Sequence, residues 1–100
     1  MTSTITEEET EKIRKIRARV DLRRKLGQVD NFCKETSEAI ANELGFTTVQ
    51  GEIYGERDIY AHMWTRSPDG INVDATGDQF QDENIPPVYI FKKDPRYVVI

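Results

Sequence analysis

A single cysteine, Cys33, a single histidine, His62, and, twelve residues after the histidine, an aspartate, Asp74, follow one another along the chain. These three residue types can make an activated thiol nucleophile. The thiolate is the attacking form, and a free thiol is mostly protonated near neutral pH. A neighbouring imidazolium and a helix N-terminus both favour the anion. The imidazole then needs a group that fixes its tautomer and supports its positive charge, and a carboxylate on a neighbouring strand does this. The two later residues lie in Tyr60-Ala-His-Met-Trp-Thr65 and Asn72-Val-Asp-Ala-Thr-Gly-Asp-Gln-Phe80, with the only tryptophan, Trp64, two places beyond the histidine. Each residue also has a simpler role. A lone cysteine serves as a small buried apolar side chain, a lone histidine as a hydrogen-bonded group, and Asp74 as a cap for its own turn. Taken together, a cysteine at a helix start, then a histidine and an aspartate on strands, point to chemistry.

The elements that must position these residues can be read from spacing. Residues 1–6 are expected to be loose. Thr6 or Thr10 can cap a helix, Glu7, Glu8 and Glu9 suit its N-terminal dipole, and Gly27 suits its end, so a first helix is expected over 7–26. Ile13, Ile16 and Val20 share one face of it, while Leu22 and Leu26 lie on a rotated face, which predicts docking through its C-terminal half. Asp30 or Asn31 can cap a second helix from Phe32 to Leu44, stopped by Gly45, which puts Cys33 in its first turn. The period then changes to two. Strands are expected over 47–54, with a possible bulge at Gly51, and over 59–65, 71–75, 88–91 and 97–100, with 78–87 as a loop.

Ser67-Pro-Asp-Gly70 is a hairpin turn. Two registers are open. Partner positions summing to 137 set Asp74 diagonal to His62 on the other face, and a sum of 136 sets the two directly opposite. A three-residue connection permits the second, which is preferred here. Tyr60, His62 and Trp64 then share one face, with the indole able to pack over the imidazole.

Asn31-Phe-Cys-Lys-Glu-Thr-Ser-Glu-Ala-Ile-Ala41, His62-Met-Trp-Thr65 and Val73-Asp-Ala-Thr-Gly-Asp-Gln-Phe80 resemble the core of transglutaminase-like proteins of the papain-like cysteine-enzyme superfamily. In that group a Cys opens a helix, His-X-Trp sits on one strand and Asp-X-Thr on the next. The resemblance covers roughly residues 28–80, and Phe32 stands where members usually carry Gly before the Cys or Trp beside it. It implies Cys33 as nucleophile, His62 as general base and acid, Asp74 as its orienting partner, and a helix packed on a small antiparallel sheet. Gln28, five residues before Cys33, could donate to an oxyanion as a Gln does in related enzymes, or be a plain loop residue. Trp64 is expected in the core or at the cleft wall.

Composition bounds the rest. One hundred residues with 37% hydrophobic content allow one domain with one modest core. There is no apolar run of bilayer length and no secretory signal, and a lone cysteine cannot form an internal disulfide, so a cytoplasmic protein without membrane contact is expected. Net charge is −4, divided into +3 over residues 1–26 and −7 over 27–100. The basic helix, with Arg14, Arg17 and Arg24, can face the domain's own acidic body or an acidic protein partner, and the acidic remainder argues against nucleic acid. A metal site from Cys33, His62, Asp74 and Asp78 would lack any CxxC or HxxxH pair, and no phosphate-binding glycine loop is present, so no cofactor is expected. The expected protein is a single α+β domain, two helices followed by a small antiparallel sheet. Its expected function is cysteine-dependent acyl transfer on a peptide or glutamine-type amide. The alternative is a small binding or inhibitory protein using the basic helix.

Overall fold

The computed structural model of the chain describes residues 5–80 and 83–100. Residues 1–4 of the segment expected to be loose, and 81–82 of the expected loop, lie outside the described residues. Helix α1 spans Glu7–Lys25. Thr6 is its cap rather than part of a loose end: its hydroxyl accepts the Glu9 N–H at 3.0 Å, and the Glu9 carboxylate accepts the Thr6 N–H at 3.0 Å. This reciprocal pair satisfies two donors that a helix start otherwise leaves open. At the other end Gly27 takes φ +75°, which lets its own N–H reach Arg24 O at 3.0 Å and the Gln28 N–H reach Arg23 O at 2.9 Å.

Helix α2 spans Phe32–Leu44, with Asn31 as its cap and Gly45 in the left-handed conformation at its end. Helix α1 docks by its middle, through Ile13, Ile16 and Val20, and leaves Leu22 and Leu26 61% and 65% exposed. The expected docking through the C-terminal half is therefore corrected. Three residues at three-and-four spacing make a stripe that buries together, and two on a rotated face do not. The stripe packs with Phe32 and Ile40 of α2 and with Phe46, Val73 and Ala75. Among the described residues no helix is long and apolar enough to cross a membrane.

The sheet follows, so the architecture is α+β as expected. Its strands are β1 (Thr47–Tyr54), β2 (Ile59–Arg66), β3 (Asn72–Asp74), β4 (Tyr89–Phe91) and β5 (Tyr97–Val99), all paired antiparallel in the order β4-β3-β2-β1-β5. The β1–β2 ladder runs unbroken from Thr47↔Arg66 to Tyr54↔Ile59, so Gly51 is not a bulge. A side chain there would run into the Trp64 ring and the Val98 carbonyl, and it is this close approach that calls for glycine. The terminal strands β4 and β5 meet through their rings, with Phe91 to Tyr97 centroids at 4.4 Å and Tyr89 to Tyr97 at 5.9 Å. The sheet thus curls around an interior that holds Trp64, His62 and Asp74.

Two features of β2 prepare the site. Ser67 closes on Ile71 with a 2.8 Å bond across Pro68-Asp69-Gly70, and Gly70 takes φ +84°. The pairs Thr65↔Val73 and Arg66↔Asn72 therefore sum to 138, which corrects both expected registers. The connection does have three residues, but its closing pair lies one step further out than a sum of 136 requires. Parity is the same, so His62 and Asp74 share a face as diagonal neighbours. The β2–β3 ladder also holds only these two pairs, because β3 ends at Asp74 and the chain turns into a 3-10 turn, Gly77–Gln79. Along β2, Met63 is left facing this gap. Its partner on β1, Gln50, gives its carbonyl to Ile100 N at 3.3 Å on the β5 side. The start of α2 fills the gap, and the Ser37 hydroxyl donates to Met63 O at 3.2 Å.

Candidate active site

Cys33 is the second residue of α2 after its cap, so its N–H has no acceptor within the helix. Its sulfur lies 3.1 Å from Asn31 Oδ1, which also accepts the Lys34 N–H at 3.2 Å. The Met63 N–H, freed by the gap in the ladder, donates toward the same sulfur. The thiol is thus held by the helix cap on one side and by β2 on the other.

The side chains of His62 and Asp74 are both fully buried. His62 Nε2 lies 2.8 Å from Asp74 Oδ2. The same oxygen accepts the Tyr97 hydroxyl at 2.6 Å, and Oδ1 accepts the Thr76 N–H at 3.0 Å and the Thr76 hydroxyl at 3.3 Å. Four donors satisfy one carboxylate, which is what allows a charge to sit in the curl of the sheet. The contact with Asp74 also fixes the imidazole, with the proton on Nε2. The other ring nitrogen, Nδ1, is buried and has no hydrogen-bond partner among the described residues. It is the ring nitrogen left to meet the thiol.

The electrostatics follow from these contacts. Burial pushes the Cys33 thiol up, but the interaction with the nearby His62 ring and its charge, together with the Met63 N–H, outweighs it, and the net direction is down. Burial pushes His62 down, but the hydrogen bond and charge of Asp74 and the nearness of the Cys33 thiol outweigh it and raise the imidazole to about 9. Both directions favour an imidazolium–thiolate pair. Burial, then the charge of Asp74, raise the Tyr97 hydroxyl, so it remains a phenol and a donor to the carboxylate.

Cys33 lines a cleft of about 270 Å³ together with Asn31, Lys34, Gln50, Gly51, Ala61, His62, Met63 and Ile100, the His62 side chain itself being buried. Comparison with protein-family models, with curated proteins and with solved structures found no match.

The other expected site residues are distributed differently. Gln28 is exposed at the end of α1, where its backbone is tied to Arg23, and it does not line the cleft. Gln50 does. Its approach depends on the pairing of β1 with β2, which the spacing around Cys33 cannot reveal. Of its two expected places, Trp64 takes the core and not the cleft wall. It is 1% exposed, stacks 6.2 Å from the His62 ring and donates to Asn72 Oδ1 at 3.1 Å. Arg17 is not a surface cation for a partner: it grips both oxygens of Asp78 at 2.6 and 2.7 Å, and Ala75 O and Pro87 O at 2.8 and 2.9 Å. Arg24 lies 4.3 Å over the Phe32 ring and pairs with Asp21. Arg14 is exposed and pairs with Glu11 at 3.5 Å. Arg19 to Glu43 and Arg23 to Glu35 join α1 to α2, so much of the basic helix faces the domain's own carboxylates. The Met63 N–H, the Tyr97 hydroxyl and Gln50 are site groups that the sequence did not single out.

Proposed function

We propose that this protein is a cysteine-dependent acyl-transfer enzyme of the transglutaminase-like, papain-like kind, acting on a peptide or glutamine-type amide. One observation carries the reading: His62 is held through Nε2 by a fully satisfied carboxylate, its Nδ1 is left without a hydrogen-bond partner, and the ring interacts with the Cys33 thiol at the edge of the cleft. A structural histidine gains nothing from a buried nitrogen left without a partner, whereas a general acid–base needs one free.

In the proposed reaction the thiol proton resides on Nδ1 and the sulfur attacks the amide carbonyl carbon, forming the C–S bond. The negative charge moves to the carbonyl oxygen. The Cys33 N–H at the helix start and the Gln50 side chain are the donors offered to it. As the tetrahedral intermediate collapses, the C–N bond breaks, Nδ1–H protonates the leaving nitrogen, and a thioester remains. Water or an amine then gives its proton to Nδ1 as it attacks, and the sulfur leaves. Asp74 supports the imidazolium at each stage without taking the proton.

Intact-mass analysis after exposure to an activated acyl ester near pH 6 tests the proposal. The expected result is one acyl group, on Cys33, absent in Cys33→Ala and released faster by an added amine. Failure to acylate, or equal acylation of a His62→Ala variant shown to be folded, would remove the acyl-transfer reading.

A further inference from the structure

Lys34 follows the nucleophile directly and lines the same cleft. It is exposed, and its ammonium makes no ion pair among the described residues. The acidic residues four positions to either side, Asp30 and Glu38, leave it unpaired, although four-residue spacing on a helix suits such a pair. No Asp or Glu side chain lines the cleft. Its charged side chains are the Lys34 ammonium and the thiol–imidazole couple, and the remaining lining side chains are Asn31, Gln50 and small or apolar groups. The first N–H groups of α2 add positive potential at the same place. Lys34 is thus an unpaired cation beside the thiol, on a segment, residues 27–100, whose net charge is −7.

Resting on the acyl-transfer reading above, we infer that the substrate carries an anionic group, most simply a carboxylate, close to the acyl carbon, and that Lys34 is the specificity residue that receives it. The thiolate–imidazolium couple is neutral as a pair, so Lys34 is the one remaining charged side chain in the cleft lining, beside the positive start of the helix. A carboxylate there exchanges water for an ammonium that no protein group already holds. A cationic substrate meets that charge with nothing to offset it.

The test compares two alkylating reagents of the same reactive type, anionic iodoacetate and neutral iodoacetamide, on the full chain near pH 6. The readout is the ratio of their rates at Cys33, referred to the same ratio for a small free thiol. A protein of net charge −4 repels an anion in the absence of a local site. The expected ratio is above that of the free thiol by roughly three- to tenfold, falls by a similar factor in Lys34→Ala and further in Lys34→Glu, and is restored in Lys34→Arg. The preference shrinks in concentrated salt. Rapid iodoacetamide reaction with no anion preference, or a preference that survives Lys34→Glu, overturns this inference alone. Slow reaction with both reagents removes the activated thiol, and this inference with it.

Discussion

Replacement of Asp74 by Asn leaves a side chain of the same shape without the charge. The consequence for His62 can be worked from its contacts. The imidazole is raised from 6.5 to about 9 against the effect of its own burial, and its hydrogen bond to Asp74 is the largest upward contribution. That shift corresponds to roughly 3 kcal/mol in favour of the charged ring, at about 1.4 kcal/mol per unit. Without the carboxylate only the Cys33 thiol still opposes burial, and His62 is expected to titrate well below its native value. The fold also loses something, because all four groups around Asp74 donate to it. An amide turns its NH₂ toward two of them, at a cost of about 1–3 kcal/mol. Tyr97→Phe is the matched control, since it disturbs the same buried cluster but keeps the charge, so His62 should stay raised. The assay is an NMR titration of the ring protons, unambiguous because the chain has one histidine. A folded Asp74→Asn variant in which His62 still titrates near 9 would refute the reasoning.

Other outcomes follow from the same contacts. Arg17→Glu should lower the melting temperature sharply, by roughly 2–4 kcal/mol of stability, since it sets a carboxylate against Asp78 and releases two carbonyls, whereas Arg14→Glu on the exposed face should change stability by less than about 0.5 kcal/mol; thermal denaturation of the two separates a strut from a surface cation. Gly51→Ala should cost about 1–3 kcal/mol by pushing apart β5 and the indole, read from denaturant midpoints. Gln50→Ala should lower kcat of acyl transfer about tenfold to a hundredfold with little change in KM if its amide meets the developing oxyanion, and a change confined to KM would assign it to binding. In Cys33→Ser, His62 keeps the support of Asp74 but no longer that of the thiolate. A group with a raised folded pKa stabilises fully below its unfolded value and loses that contribution as pH rises through the folded one, so this variant should melt at lower temperature as pH climbs from about 6.5 toward 9. In the native chain the lowered Cys33 thiol adds a contribution of opposite slope and flattens that fall.

The helices were legible because their ends are written in single residues. Asn31 as cap and Gly45 as stop place Cys33 in a first turn without any tertiary information. The alternation of Tyr60, His62 and Trp64 likewise showed which side chains share a face. Register was harder. The turn Pro68-Asp69-Gly70 is compatible with more than one closing pair, and only the Ser67–Ile71 bond settles which. Because the true register and the preferred one differ by two, His62 still reached Asp74. What could not be read depends on curvature and docking. Tyr97 meets Asp74 because the two ends of the sheet curl together, and Arg17 becomes an internal strut because α1 lies against the loop that carries Asp78. Neither contact leaves a trace in local spacing. The exchange of Gln28 for Gln50 has the same origin: nearness to Cys33 in sequence is no guide to which strand passes its sulfur.

The most direct test of the activated thiol is the rate at which iodoacetamide alkylates Cys33 as a function of pH. A free thiol with a pKa of about 8.5 is only about 0.3% ionised at pH 6. A thiolate already paired with imidazolium is ionised there, and part of the resulting gain of about 300-fold is offset by the lower intrinsic nucleophilicity of a less basic sulfur. Cys33 is expected to react roughly 10- to 100-fold faster than a small free thiol near pH 6, with this excess lost in His62→Gln. A rate that simply tracks the ionisation of an ordinary thiol, with no excess in the acid range and no response to His62, would contradict the activated thiol.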